Sequence, residues 1–484
     1  MRVLGRPEGS GRPGARRRPG LGGRTGRRLA TREGADNPPD RAFATATLVA
    51  AVVVVLAGTL GTLWLRGWGR VGFEVPSTPW YFSFPFYVFP GPQLELGWTA
   101  ATLPVVAATV AATLALYRSP AGWPCRVAAT VGLAGILALA VAALAGGPSA
   151  WGAPFDYAGE YPAGVGRVGA IPSFLHHFPE QLPDLPSHAT GHPAGAMVVY
   201  ALVARVWPGL TAAALVTVAV GSLGAVATGG LARDELGERG GRLALAVWVV
   251  APGVVLYLAT SADAIFAAVL GAATLAAHRG LVQRSASWTV AGGVLLWASS
   301  MLTYAAVLLL VFLGVRALGL LRRERVWVVC WAAGTSAVVV ALAGGLWLAT
   351  GYDVPAAVAA VHGAYQVAPG SAGRSLTVWL PGDLLAFGGM LGVPLLAALA
   401  GRTVTVVRER AWSSVDGAAL ATLLAAASWG FTKGEVERIF QFLVPLVLVP
   451  VVRQLLAWRV RAPAVTGLLV AQTVLVQMLF DTRW

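Results

Sequence analysis

Apolar runs of about 17–25 residues recur along nearly the whole chain, the length that crosses a hydrocarbon core of roughly 30 Å. Inside a bilayer no water can satisfy free backbone N–H and C=O groups, so each run has to be helical. A transmembrane β-barrel is excluded by pattern, because the runs are continuous and do not alternate over segments of about ten residues. With 56% hydrophobic and only 12% charged residues, an ordinary soluble protein is excluded as well. The sequence predicts an all-α, polytopic membrane helix bundle.

Basic residues set the expected orientation. Residues 1–42 hold eleven arginines, from Arg2 to Arg41, against Glu8, Glu33, Asp36 and Asp40. Glycine and proline fill the rest, a composition expected to stay disordered. An arginine-rich stretch ahead of a span reads as a cytoplasmic topology signal attracted to anionic lipid, in preference to a nucleic-acid-binding arm. The apolar run behind it is long and lacks a small-residue cleavage pattern, so it reads as an anchor. About 13 transmembrane helices are then expected, near 43–66, 99–117, 126–146, 209–230, 242–258, 262–279, 288–301, 303–318, 326–349, 383–400, 414–430, 438–456 and 463–480. Most arginines fall on inside loops in that scheme, among them Arg118, Arg233, Arg242, Arg279, Arg316, Arg402 and Arg453. Counting 193–207 as a further span would invert every later loop, so it is read as an outer-face juxtamembrane helix. The expected localisation is the plasma membrane, multi-pass, with the N-terminus cytoplasmic. The domain reading is a tail over 1–42, two accessory spans with an aromatic outer loop over 43–125, and the main bundle over 126–484.

The large outer loop 147–208 carries four of the six histidines, His176, His177, His188 and His192. It also carries Asp156 and Glu160 in FDYAGEYP. A carboxylate in a partly buried surface site can take a proton from an acceptor hydroxyl, and either acid is a candidate general base. Flanking Phe155, Tyr157 and Tyr161 suit stacking on a sugar or seating at the interface. His188 and His192 form H-x-x-x-H, a spacing that on a helix could hold zinc. Gly191 and Pro193 break that geometry and no metal is expected; His192 instead precedes a helix N-terminus, where phosphate binds readily. Lys433, Glu435, Glu437 and Arg438 crowd a turn between two spans, and charges so close to hydrocarbon pair with one another or bind ligand. Lys433 is the chain's only lysine; it and Arg438 are phosphate-side candidates, one a point charge and the other a fork. Asp263, where a span begins, is either a helix cap with Ser261 or an acid supporting the site. Cys125 and Cys330, far apart and without metal spacing, are expected as buried small hydrophobes. No Walker motif, dinucleotide fingerprint or nucleophile elbow is present, so ATP, NAD and serine-hydrolase chemistry find no support.

The order of these features resembles the GT-C superfamily of integral membrane glycosyltransferases, which take sugar from a polyprenyl-phosphate donor. The protein mannosyltransferases, the aminoarabinose transferases and the mycobacterial-type arabinosyl- or mannosyltransferases are similar. Three matches carry the likeness: an acid in the first large outer loop (FDYAGE), a GHPAG element standing where the family has H/K-P-P-G, and SADAIF opening a later span. GEVERIF resembles a G-E-x-E-R-I element of bacterial membrane sugar transferases. The likeness covers roughly 130–450. Ala194 replaces the second proline, two spans precede the family's first helix, a large C-terminal outer domain is lacking, and the loop has no plain D-D or D-x-D pair.

The resemblance implies inverting transfer on the outer face, with Asp156 or Glu160 as base. His188, His192, Asp263, Lys433, Glu435 and Arg438 would serve substrate and phosphate. It implies a polyprenyl-phosphate-linked sugar donor, a glycan, lipid or protein acceptor, contact with membrane lipids, no nucleic acid and no soluble cofactor. The alternatives are a secondary transporter or lipid flippase, or a non-catalytic membrane subunit. Transporters tend to show repeated halves and midplane polar groups, and neither is evident in the sequence.

Overall fold

Helices account for most of the described residues in a computed structural model, which describes residues 39–67, 89–90, 96–367, 375–412, 414–430 and 432–481. Most of the arginine-rich tail and most of the aromatic 67–98 loop lie outside the described residues. Pro39–Gly67, Leu96–Arg118 and Trp123–Ala143 open the described part as uninterrupted helices. Among the described residues, eight helices are long and apolar enough to cross a membrane, and four shorter apolar ones join them. Large apolar side chains such as Leu48, Val340 and Leu348 point away from the protein, as lipid-facing residues do. This is a multi-pass helical membrane protein.

Several expected spans are subdivided, each for a local reason. The segment 242–258 breaks at Ala251, whose ψ of 128° is extended. Pro252 follows it, and a proline ring pushes the preceding residue out of helical geometry. The segment 383–400 is two helices, Leu376–Leu391 and Val393–Arg408. They meet at Gly392, whose φ of 114° is readily open only to glycine. Conversely, 303–318 and 326–349 share the long Leu309–Thr350 helix, kinked at Glu324. Cys125 and Cys330 are exposed on their helices rather than buried, so the expected core role is corrected.

Within the large loop, short turns of helix fill 149–190, and Ala194–Val206 then forms a helix of its own. Leu202, Val206 and Trp207 near its end are exposed, and Arg205 donates to the carbonyls of Val168 and Gly169 in the loop.

Two central helices show how charge is distributed across the bundle. On Asp263–Gln283 the polar residues Asp263 and His278 stand fifteen positions apart; on the Val436–Ala457 span so do Arg438 and Arg453. At 1.5 Å per residue each pair spans about 22 Å. The stretches between, Leu270 to Leu275 and Val444 to Val452, are buried and almost wholly apolar. One end of the bundle therefore holds a polar cluster: His278 beside Glu235 at 3.2 Å, the ion pair of Arg279 with Asp234 at 2.7 Å, and Asp416 shared by Arg402 (2.6 Å) and Arg453 (2.9 Å). The other end holds Asp263 and Arg438.

Among the described residues the most extensive helix–helix contact is that of Asp263–Gln283 with Ala286–Leu302. A Cβ on Gly292 would lie 2.8 Å from the Ala277 Cα, and one on Gly280 would lie 2.9 Å from the Thr289 backbone nitrogen. Small residues here let the backbones approach, the usual basis of packing where lipid removes the hydrophobic drive. Gly292→Val is expected to lower stability by about 1–3 kcal/mol, the cost of overpacking, read as a drop in the thermal midpoint of the purified protein. An unchanged midpoint would contradict this packing.

Candidate functional site

Four stretches of chain meet at the Asp263 end: the 160–192 part of the loop, Ser261–Asp263, Leu376–Leu391 and the 432–441 turn. Glu160 is only 1% exposed. His188 Nδ1 stands 2.8 Å from its Oε1; the carboxylate is acceptor-only when ionised, so the ring nitrogen donates. The second oxygen, Oε2, is buried without a hydrogen-bond partner. The loop is stitched beside this pair, since the His188 backbone N–H donates to the Gly159 carbonyl at 3.0 Å. His192 Nδ1 lies 2.9 Å from the His188 carbonyl, which leaves Nε2 as the acceptor in the neutral ring.

Aromatic rings wall this pair. Tyr161 stacks on Tyr200 at 5.4 Å and meets Phe266 edge-on at 6.1 Å. His192 lies 5.3 Å from Phe266 and 6.0 Å from Tyr161. Burial pushes the Tyr161 phenol well above its ordinary range, and the carboxylates of Asp263 and Glu160 push it further. Tyr161 thus sits between the loop acid and the helix acid. Tyr157 is the exposed aromatic of the group, its ring 6.0 Å from that of His188.

Arg438 organises the other half. Its NH1 donates to Asp263 Oδ2 at 2.9 Å and its NH2 to Glu435 Oε2 at 2.6 Å. The Ser261 hydroxyl also donates to Asp263 Oδ2, at 2.7 Å. Asp263 is the first residue of its helix, whose N-cap position is Ala262 with no side-chain cap hydrogen bond; its carboxylate accepts from Ser261 and Arg438, and its own backbone N–H donates to the Ser261 hydroxyl. The guanidinium is shared by two carboxylates, which makes Arg438 a paired organiser of the turn rather than an open anion receptor. Glu435 holds a left-handed backbone, φ 61°, a conformation of the kind non-glycine residues keep at constrained sites. Lys433 precedes this turn and is partly exposed.

Of the residues proposed from sequence, Glu160, His188, His192, Asp263, Glu435 and Arg438 are brought together at this end. Asp156 is not among them: it ends a short 3-10 turn and is exposed to solvent. At the helix N-terminus read as attracting phosphate, the backbone N–H of Ala194 has a side-chain partner. Tyr352, buried at 2% exposure, receives the backbone hydrogen bond of Ala194 at its hydroxyl; burial raises that phenol to about 12 despite it. Two residues escaped the sequence reading. Asp383 is fully buried and accepts the Gly434 N–H at 2.9 Å; a lone acid in WLPGDLLAFGGML was the available signal. Tyr352 carried none.

Burial pushes the His192 imidazole below its ordinary range; Asp263 and the His188 carbonyl oppose that shift, while His188 and Arg438 reinforce it. A depressed histidine contributes stability that is complete above its unfolded pKa and is lost as pH falls through the folded value. Melts taken from about pH 8 to about pH 5 are expected to lose stability below the ordinary imidazole range. The loss should be smaller in His192→Asn, and equal slopes would exclude His192 as its source.

Fold and site together define a class: a polytopic helical membrane protein with a buried carboxylate–histidine pair facing a carboxylate–guanidinium cluster. Compared with models of known protein families, with curated proteins and with solved structures, the chain matches none. Among the described residues no group of three or more His, Cys, Asp or Glu side chains is placed to hold a metal ion.

Proposed function

We propose that this chain is an integral membrane glycosyltransferase of GT-C type, moving sugar from a polyprenyl-phosphate donor to a cell-envelope glycan, lipid or protein on the outer face. The observation that carries the reading is Glu160, a buried carboxylate with one oxygen held by His188 and the other without a partner. That oxygen is the acceptor for a hydroxyl proton. The acceptor oxygen then bonds to the anomeric carbon from the face opposite the phosphate. The carbon–oxygen bond to the phosphate breaks, the configuration inverts, and polyprenyl phosphate leaves with the electron pair. His188 holds the carboxylate in place, and exposed Tyr157 offers a ring for a sugar to stack on.

We assign the leaving phosphate to Lys433 on accessibility: it is partly exposed, whereas the Arg438 side chain is less than a tenth exposed between Asp263 and Glu435. In a chain where 36 basic residues include one lysine, a compact ammonium at this turn supplies what a planar guanidinium does not. A conduit would gather ionisable groups near the bilayer midplane; here they stand at two ends with apolar helix between, which favours a surface enzyme. The test is sugar transfer from synthetic polyprenyl-phosphate donors by the parent, Glu160→Gln and Asp156→Asn. Full transfer by Glu160→Gln would remove Glu160 from the mechanism, and no consumption of any such donor by the parent would overturn the enzyme reading.

A further inference from the structure

The turn that carries Lys433 and Glu435 is held from outside itself. Gly434 and Glu435 have φ of 84° and 61°, two left-handed residues in succession, the second not a glycine. Glycine adopts this region freely, but a non-glycine residue such as Glu435 persists there only where its surroundings over-determine it. Glu435 in turn holds Arg438 at 2.6 Å, and Arg438 holds Asp263 at 2.9 Å. A backbone amide of the left-handed pair is also held from another helix, through Asp383. This residue is fully buried on Leu376–Leu391, and its Oδ1 accepts the Gly434 N–H at 2.9 Å across 51 residues of sequence. Its helix packs directly on Val436–Ile439, and Phe387, one turn along, meets Phe440 at 6.0 Å.

We propose that Asp383 is a positioning residue: by fixing the Gly434 amide it sets the left-handed turn, and with it the places of Lys433 and Glu435. Asp383 touches no reacting atom in this scheme. It acts through the backbone of the turn, which links a buried acid on one helix to the charged groups on another. The functional half of the proposal rests on the reading of Lys433 as the phosphate-side cation; the structural half does not.

The single lysine makes the turn directly observable. Reductive methylation of the full-length protein in nanodiscs with isotope-labelled formaldehyde places one labelled dimethylamine on a lysine side chain, and methylation keeps its charge. Asp383→Leu removes the acceptor, Asp383→Asn keeps a carbonyl oxygen for the Gly434 N–H, and Gly434→Ala disturbs the same turn from its other side. The expected result is a Lys433 resonance that Asp383→Leu and Gly434→Ala both displace and that Asp383→Asn largely restores. Farnesyl phosphate, titrated as the probe, should move the parent resonance and leave that of Asp383→Leu unmoved at the same concentration. Where transfer is measured, kcat/KM should fall by roughly a hundredfold in Asp383→Leu, the scale of a misplacement of about 1 Å, with most of the change in KM.

A folded Asp383→Leu protein with the parent resonance would overturn the proposal. Should that variant fail to fold, Gly434→Ala decides, and a parent-like resonance there would overturn it equally. A parent resonance unmoved by farnesyl phosphate would instead overturn the donor reading, while the comparison of the Leu and Asn variants would still test the positioning role.

Discussion

Glu160→Gln is expected to lower kcat for sugar transfer by about 10²–10⁴-fold, the contribution of a positioned general base, with KM little changed. Glutamine keeps the shape of the side chain and an oxygen that can accept from His188, so the variant removes the proposed base and little else. Asp156→Asn, at an exposed position outside the cluster, is expected to transfer at near the parent rate. Steady-state kinetics with a polyprenyl-phosphate sugar donor checks both. The opposite ranking of the two variants would move the base back to Asp156 and detach the mechanism from the buried pair.

Removing one partner of the Asp263–Arg438 pair is expected to have the largest effect on stability. Both side chains are less than a tenth exposed, and breaking a buried pair typically costs about 3–5 kcal/mol because a charge is left uncompensated. Arg438→Met takes the guanidinium away from two carboxylates, Asp263 and Glu435. Asp263→Asn strands less, since Arg438 keeps Glu435 at 2.6 Å and the new amide would keep the Ser261 neighbour; Arg438→Met should be the more damaging. The double variant should lose less than the two single losses added together, the signature of direct coupling. Thermal unfolding of the four proteins in one lipid environment reads this. Additive losses would show that the pair is not the unit holding the turn to the helix.

The two effects separate chemistry from architecture at one end of the bundle. Glu160 is held by the loop, through His188 and the Gly159 carbonyl. Asp263 and Arg438 are held by the bundle, through helices whose far ends carry the second set of ion pairs. Tyr161 and His192 lie where the two parts meet.

Much of the helical layout was legible because hydropathy and length act locally: Pro39–Gly67, Leu96–Arg118, Asp263–Gln283 and Ala462–Leu479 all fall near the expected spans. Breaks at Ala251 and Gly392 were less legible, though Pro252 is a local cause that could have been used. The juxtaposition of acids was legible only as a list. Asp156 and Glu160 are four residues apart and of similar chemistry, yet one faces solvent and the other is buried against His188, 28 residues later. No periodicity in FDYAGEYP distinguishes them.

Composition and apolar run length, then, decided the material of the protein: membrane-crossing helices, polar groups expelled to their ends, and an unusually charged turn at GEVERIF. These follow from the cost of placing polar groups in hydrocarbon, which every residue meets alone. Tertiary structure decided the pairings. Asp263 finds Arg438 across 175 residues and Asp383 finds the Gly434 amide across 51. A buried charge or amide must be satisfied by whatever the packing of distant helices brings within about 3 Å, and that is a property of the whole bundle.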